Sequence, residues 1–290
     1  ASTSASGVSS STADDPRADL ANDVCDRVDA IDVASSPTGL SPGFLIAAHV
    51  AVRPFQYFRD AAVARESAPA ALERLCARVI APHVVPMCDD GDAGVRRVAL
   101  KIVFRAVRAY MPESMRGAAI QSVLSSIEKR CLALDPLETS EEEWIAAKRA
   151  LRLAKALVTR HASTLDGCAE ALGRIVGASV VVASAKAASD AAVAEAFASL
   201  ESVLSATRDK STRTAAWCAL TGDAATDEAR SAALRRMIVT CVVPHAALTD
   251  RDEERLVEDP EEYARLNAVG DAATSDAIEE ALADDDGSCG

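Results

Sequence analysis

The 290-residue chain is nearly half hydrophobic but only 3% aromatic, and its formal charge is −13. Alanine supplies much of the apolar content, and it combines the best helix propensity with little bulk, so the composition is that of closely packed helices and argues against a β-rich fold. The negative balance repels nucleic acid, and no apolar run reaches membrane-spanning length, the longest being closed by Lys186, which argues against membrane insertion.

Residues 1–39, rich in Ser, Ala and Asp, are expected to be disordered. Their opening, ASTSASGVSSSTADD, has neither a basic start nor an apolar core, so it is not a secretory signal. A linker and part of a plastid transit segment both remain open.

Helical repeats are expected over residues 40–248. Residues 44–64 have helical periodicity interrupted at Arg53-Pro54, and Phe55, Tyr57 and Phe58 read as core rather than as a binding patch. A helix over 69–87 carries the stripe Leu72, Leu75, Cys76, Val79 and Ile80, with Pro82 and Pro86 disturbing its end. Residues 88–94, CDDGDAG, form a turn. The next helix places Val95, Val98, Ala99, Ile102, Val103, Ala106, Val107, Tyr110 and Met111 on one face, and Pro112 ends it. Another helix comes next, with Ile120, Val123, Leu124, Ile127 and Cys131. Ser140 and Glu143 make a capping box for a helix bearing Trp144, Ala147, Leu151, Ala154, Leu157 and Val158, with Lys148, Arg149, Arg152 and Lys155 mostly outward. Further helices are expected at 164–187, 189–207, 211–220 and 226–247. Gly173 and Gly177 share a face and would let another helix approach closely. Helices of similar length with short turns and no strands predict an all-α, HEAT-like α-solenoid, with a compact helical bundle as the alternative.

The charge is concentrated at the far end. Residues 250–286 hold fifteen acidic and three basic residues, −12 of the −13, so residues 1–249 are close to neutral. Such a field attracts basic partners. A solvated acidic tail is the plain reading, applied here to residues 269–290. For 249–268 the sequence predicts an acidic loop plus a short helix. Asp259 caps a helix started by Pro260, Glu261 and Glu262 lie in its first turn, and Tyr263 and Leu266 share a face. The candidate binding residues are Asp250, Asp252, Glu253, Glu254, Glu258, Asp259 and Glu262.

Three stretches carry a family resemblance. KIVFRAVRAYMP (101–112) resembles the KIxYALVQYxLP helix of the importin-β superfamily, in the group of importin seven and importin eight. WIAAKRALRLAKALVTRH (144–161) resembles that group's next helix. TDRDEERLVEDPEEYARL (249–266) is similar to its T-D-x-D-E-E-L-W-x-E-D-P-x-E-Y-I-R motif, which there comes after a helix ending in proline, the place of Pro244 here. The chain departs from that motif at Arg255-Leu256 and Ala264, and the second tryptophan of the middle helix is replaced by Ala150 or Leu151. The matched region, about residues 70–268, corresponds to an internal part of a long receptor. The resemblance implies HEAT repeats and a nuclear transport receptor of the cytoplasm, nucleus and nuclear pore. The implied partners are the small GTPase Ran, basic cargo such as ribosomal proteins or histones, and nucleoporins. The acidic residues of 250–262 would contact cargo or Ran. A HEAT-type interaction scaffold without a transport cycle is the alternative.

No enzyme is expected. Asp250 and Asp252 hint at a metal, but Arg255 stands where a calcium loop needs glycine. Cys76, His83 and Cys88 lack a fourth zinc ligand, and Cys76 lies on an apolar stripe. His49, His83, His161 and His245 fall near helix ends, and His161 and Cys168 have no orienting partner. The eight scattered cysteines contain no C-x-x-C pair and read as small buried hydrophobes rather than disulfides. No cofactor is implied. An acidic-site hydrolase using Asp250 and Asp252 remains as a third possibility, requiring metal-dependent turnover.

Overall fold

A computed structural model of the chain describes residues 19, 21–26, 42–53, 55, 68–108, 110–135, 138–165, 167–185, 190–222, 224, 226–246, 254 and 257–261. Among these every regular element is helical, and none is a strand. The chain divides into two compact units, Ala1–Val123 and Leu124–Gly290.

The first unit contains α1 (Pro42–Val52), α2 (Ala68–Leu75) and α3 (Ala93–Arg108), with α1 packed on α3. Helix α2 runs directly into a π-helix, Cys76–Val84, and then a 3-10 helix, Val85–Asp89. The end of this stretch is disturbed as expected, by a change of helix type rather than by a stop at Pro82. Pro82 lies inside the π-helix, where the ladder has shifted to five-residue bonds such as Val85 N–H to Ile80 O, and the register change accommodates a residue with no N–H of its own. Pro86 is the second residue of the 3-10 helix, in the first turn, where a missing N–H costs nothing. The expected stripe Leu72, Leu75, Cys76, Val79 and Ile80 is buried. Leu75, Ile80 and Val85, also all buried, repeat at the five-residue step of the π bonding.

The expected turn at 88–94 is present. Asp92 N–H donates to Asp90 Oδ1 at 2.8 Å, and Asp92 Oδ1 accepts Val95 N–H at 3.0 Å, capping α3. The packed face of α3 is not wholly the expected one. Ala99, Ile102, Val103, Ala106 and Val107 are buried, but Val95 and Val98 are half-buried and Tyr110 is exposed. Arg96, Leu100 and Arg105 take their places inside. Polar partners cause this rotation: Arg96 Nη1 donates to Asp90 O at 2.6 Å and Gly91 O at 3.0 Å, and Arg105 meets His49 of α1. The helix stops at Arg108, before Pro112.

Of the stretch 1–39, Asp19 and residues 21–26 are described. Residues 21–26 form a helical turn that buries Ala21, Val24 and Cys25. Arg74 of α2 holds it, donating to Asn22 Oδ1 at 2.7 Å and Asp26 Oδ1 at 2.6 Å. Hydrophobic packing and these two bonds order this short piece despite its polar surroundings in sequence. Phe55 is buried as expected, whereas Tyr57 and Phe58 lie outside the described residues.

The division between the units falls within α4 (Ala118–Leu132), whose Ile120, Val123, Leu124, Ile127 and Cys131 are buried as their spacing predicts. The second unit continues with α5 (Glu141–His161), α6 (Cys168–Ser184), α7 (Asp190–Ala206), α8 (Arg213–Thr221), α9 (Asp227–Cys241) and α10 (Val243–Ala246). Ser140 caps α5, its Oγ accepting Glu143 N–H at 3.3 Å. Helix α5 packs chiefly on α7, and α6 packs on both α7 and α8, so helices two apart in sequence lie side by side. This leaves α5 little free surface. Lys148, Arg149, Arg152 and Lys155 are half-buried rather than fully outward. Lys155 Nζ reaches Glu195 at 2.6 Å, and the buried Ser199 hydroxyl lies 3.0 Å from Leu151 O and 2.8 Å from Glu195 O.

The close approach expected at Gly173 and Gly177 does not occur. A Cβ at Gly173 would meet nothing within 4 Å, and one at Gly177 would meet only Glu128 Oε1 at 3.6 Å. Pro244 does not end α9 either: that helix stops at Cys241, and Pro244 lies inside α10.

Candidate functional site

Of the seven acidic candidates, Glu254, Glu258 and Asp259 are described, and all three are exposed. Asp250, Asp252, Glu253 and Glu262 lie outside the described residues, as do Tyr263 and Leu266. Glu254, Val257 and Glu258 have helical backbone, Asp259 interrupts it, and Pro260 and Glu261 are helical again. That places Asp259 where a capping residue belongs and Pro260 where a first helical residue belongs. With Glu261 also exposed, the described residues present carboxylates to solvent, and Val257 between them is 82% exposed. Carboxylates so presented can bind cations or basic side chains, and no nucleophile is described beside them.

A second concave feature was not legible in the sequence. The ends of α5 and α7 and the turn before α8 enclose an open cleft of about 600 Å³, with Lys155, Arg160, Glu201 and Asp209 among its lining residues. Its polar groups are largely committed locally. Thr159 Oγ1 donates to Lys155 O at 2.8 Å, Ser202 Oγ to Ser199 O at 2.7 Å, and Thr212 Oγ1 to Ala206 O at 2.7 Å. Asp209 accepts from the Ser211 hydroxyl at 2.7 Å and its N–H at 2.8 Å, and these bonds, the hydroxyl's first, hold its carboxyl below the usual range. Among the described lining residues there is no histidine or cysteine. Its residues come from segments some forty positions apart, so no local pattern announces it.

The exposed face of α9 is the third feature. Leu234, Met237 and Cys241 turn toward the unit, with Cys241 buried and its Sγ 3.9 Å from Val180 O of α6. His245 of α10 donates through Nε2 to Ala183 O at 2.6 Å and lies edge-on to Phe197. The other side carries Ile238, Val239, Val242 and Val243, between 43% and 61% exposed, beside exposed Arg235 and Arg236. The doubled Ile-Val and Val-Val pairs were a signal for this, because one buried stripe cannot absorb both members of each pair.

The seven described cysteines are free thiols. Burial pushes Cys88 and Cys131 up to about 12, with Asp89 adding to the effect at Cys88. Cys76 is raised well above its ordinary value by burial and then by Glu73 and Cys25. Such thiols stay protonated and are poor nucleophiles or metal ligands at neutral pH. His83 lies edge-on to Phe44, and His161 is buried at the end of α5. Among the described residues no three His, Cys, Asp or Glu side chains cluster as metal ligands would. No helix of the described residues is long and apolar enough to cross a membrane. No protein-family model matches the chain, and neither a curated protein nor a solved structure does.

Proposed function

We propose that the chain is part of a nuclear transport receptor of the importin-β type, with HEAT-like helix pairs, that binds basic protein cargo and passes nuclear pores under Ran-GTP control. The observation that carries this reading is the exposed acidic segment at Glu254, Glu258, Asp259 and Glu261, in the stretch whose sequence resembles that family's acidic motif. The side-by-side placement of α5 with α7 and of α6 with α8 supports a solenoid of helix pairs, since stacked pairs form two such layers. Exposed ion pairs contribute only about 0–1 kcal/mol each, so several carboxylates must act together on a basic partner.

The test uses a basic cargo such as a histone, titrated with the full chain in the presence of Ran-GTP or Ran-GDP. Weakening by Ran-GTP alone supports the transport reading. Cargo binding indifferent to the nucleotide supports a HEAT-type scaffold, the reading favoured by the same helix layering without the acidic motif. Changing Asp252, Glu253, Glu254 and Glu258 together to lysine is expected to abolish cargo binding with helix content unchanged. Full, salt-insensitive affinity in that variant would make the segment a solvated linker.

A further inference from the structure

The outer face of α9 is an unpartnered apolar ridge with a basic end. Ile238, Val239 and Val242 succeed Arg235 at helical spacing, Val243 continues the ridge into α10, and the two arginines are exposed. Thr240 is the exposed polar residue within the ridge, and Asp227 and Glu228 lie two turns or more back toward the start of α9. Four side chains fall far short of the roughly 800 Å² per partner that a stable dimer buries. A ridge this small matches one short helix.

We propose that this ridge is the docking site for residues 276–286 of the same chain, DAIEEALADDD. Ala277, Ile278, Ala281 and Leu282 recur at the spacing of one helical face, and Asp276 with Glu279 has the form of a capping pair. The stretch carries six acidic residues and no basic one, which suits Arg235 and Arg236. Eleven helical residues measure about 16 Å, and the span from Arg235 to Val243 is about 12 Å. Antiparallel docking sets Ile278 and Leu282 on the ridge and Asp284, Asp285 and Asp286 against the arginines. Residues 249–261 are a poorer occupant, because Val257, the apolar residue described there, is 82% exposed. The 29 residues between Ala246 and Asp276 reach about 30 Å as a flexible chain, and tethering gives an effective concentration on the order of millimolar, so a contact too weak for a free peptide still forms. Such docking needs neither Ran nor cargo and goes beyond the transport reading.

Amide hydrogen exchange of the full chain at low salt tests it. Residues 276–286 are expected to exchange about tenfold more slowly than unstructured chain. Protection should be lost in the full-chain variants I278S/L282S and R235E/R236E, with circular dichroism showing α9 intact in both. It should also weaken at an ionic strength on the order of 0.5 M. Exchange of 276–286 at the unstructured rate in the unaltered chain would overturn the proposal. So would protection that survives both variants, or protection that rises with protein concentration, which would make a second copy the occupant.

Discussion

Arg96 shows what one side chain can decide. It is almost fully buried, and its guanidinium donates to the carbonyls of Asp90 and Gly91, tying the turn to the helix. Replacing it with Met keeps much of the bulk and removes the donors, so Arg96→Met is expected to cost about 2–4 kcal/mol in chemical denaturation. The buried thiols give a pH signature. With the folded pKa of Cys88 and Cys131 raised to about 12, the folded state keeps protons that the unfolded state releases from about pH 9 upward. Their contribution is thus complete below the unfolded value and is lost as pH rises from about 9 to about 12, by roughly 1 kcal/mol per pH unit for each thiol. Denaturation across that window should be shallower in Cys88→Ala/Cys131→Ala, measured against its own stability at pH 8.

At the scale of single helices, Gly173 is an opportunity. It lies in the middle of α6 with open space where a Cβ would go. Gly173→Ala is expected to stabilise the chain by about 0.5–1 kcal/mol, seen as a higher melting temperature. A helix packed against the glycine would have made the same change destabilising, which is what the sequence pattern suggested. The buried stripes of α4 and α5 were legible because 3.6-residue periodicity is local, and the Ser140 cap was legible for the same reason. The inward turn of Arg96, the half-burial of Lys155 and the shift to π bonding around Pro82 were not, because apolar spacing does not carry a turn folded back on a guanidinium, a Glu195 brought beside Lys155 or a changed ladder register. Of the acidic site, exposure of Glu254, Glu258 and Asp259 could be read from composition, while the helical backbone at Glu254 and Glu258 could not. The cleft beside Asp209 joins distant segments and had no sequence signal.

For the molecule as a whole, charge separation along the chain matters most. A nearly neutral body of 249 residues precedes a segment carrying almost all of the net charge. Long-range attraction of this kind acts on encounter more than on the lifetime of the complex. Stopped-flow association with a basic protein should slow about tenfold or more as ionic strength rises from ~0.05 to ~0.5 M, with dissociation changing less. An association rate flat across that range would mean that the segment does not steer partners.

The π-helix Cys76–Val84 can also be seen as surplus length. A π-turn is an α-turn holding one residue too many, so losing a residue there returns the ladder to four-residue bonds without rotating the downstream backbone. Pro82 is the natural residue to lose, because it contributes no N–H to either pattern. A chain lacking Pro82 is expected to melt within a few degrees of the intact one, whereas deleting Ile102 from the middle of α3 should rotate the rest of that helix by about 100° and unfold it. Thermal denaturation of the two deletions would show whether the chain tolerates a change of length in this stretch and refuses it a few turns later.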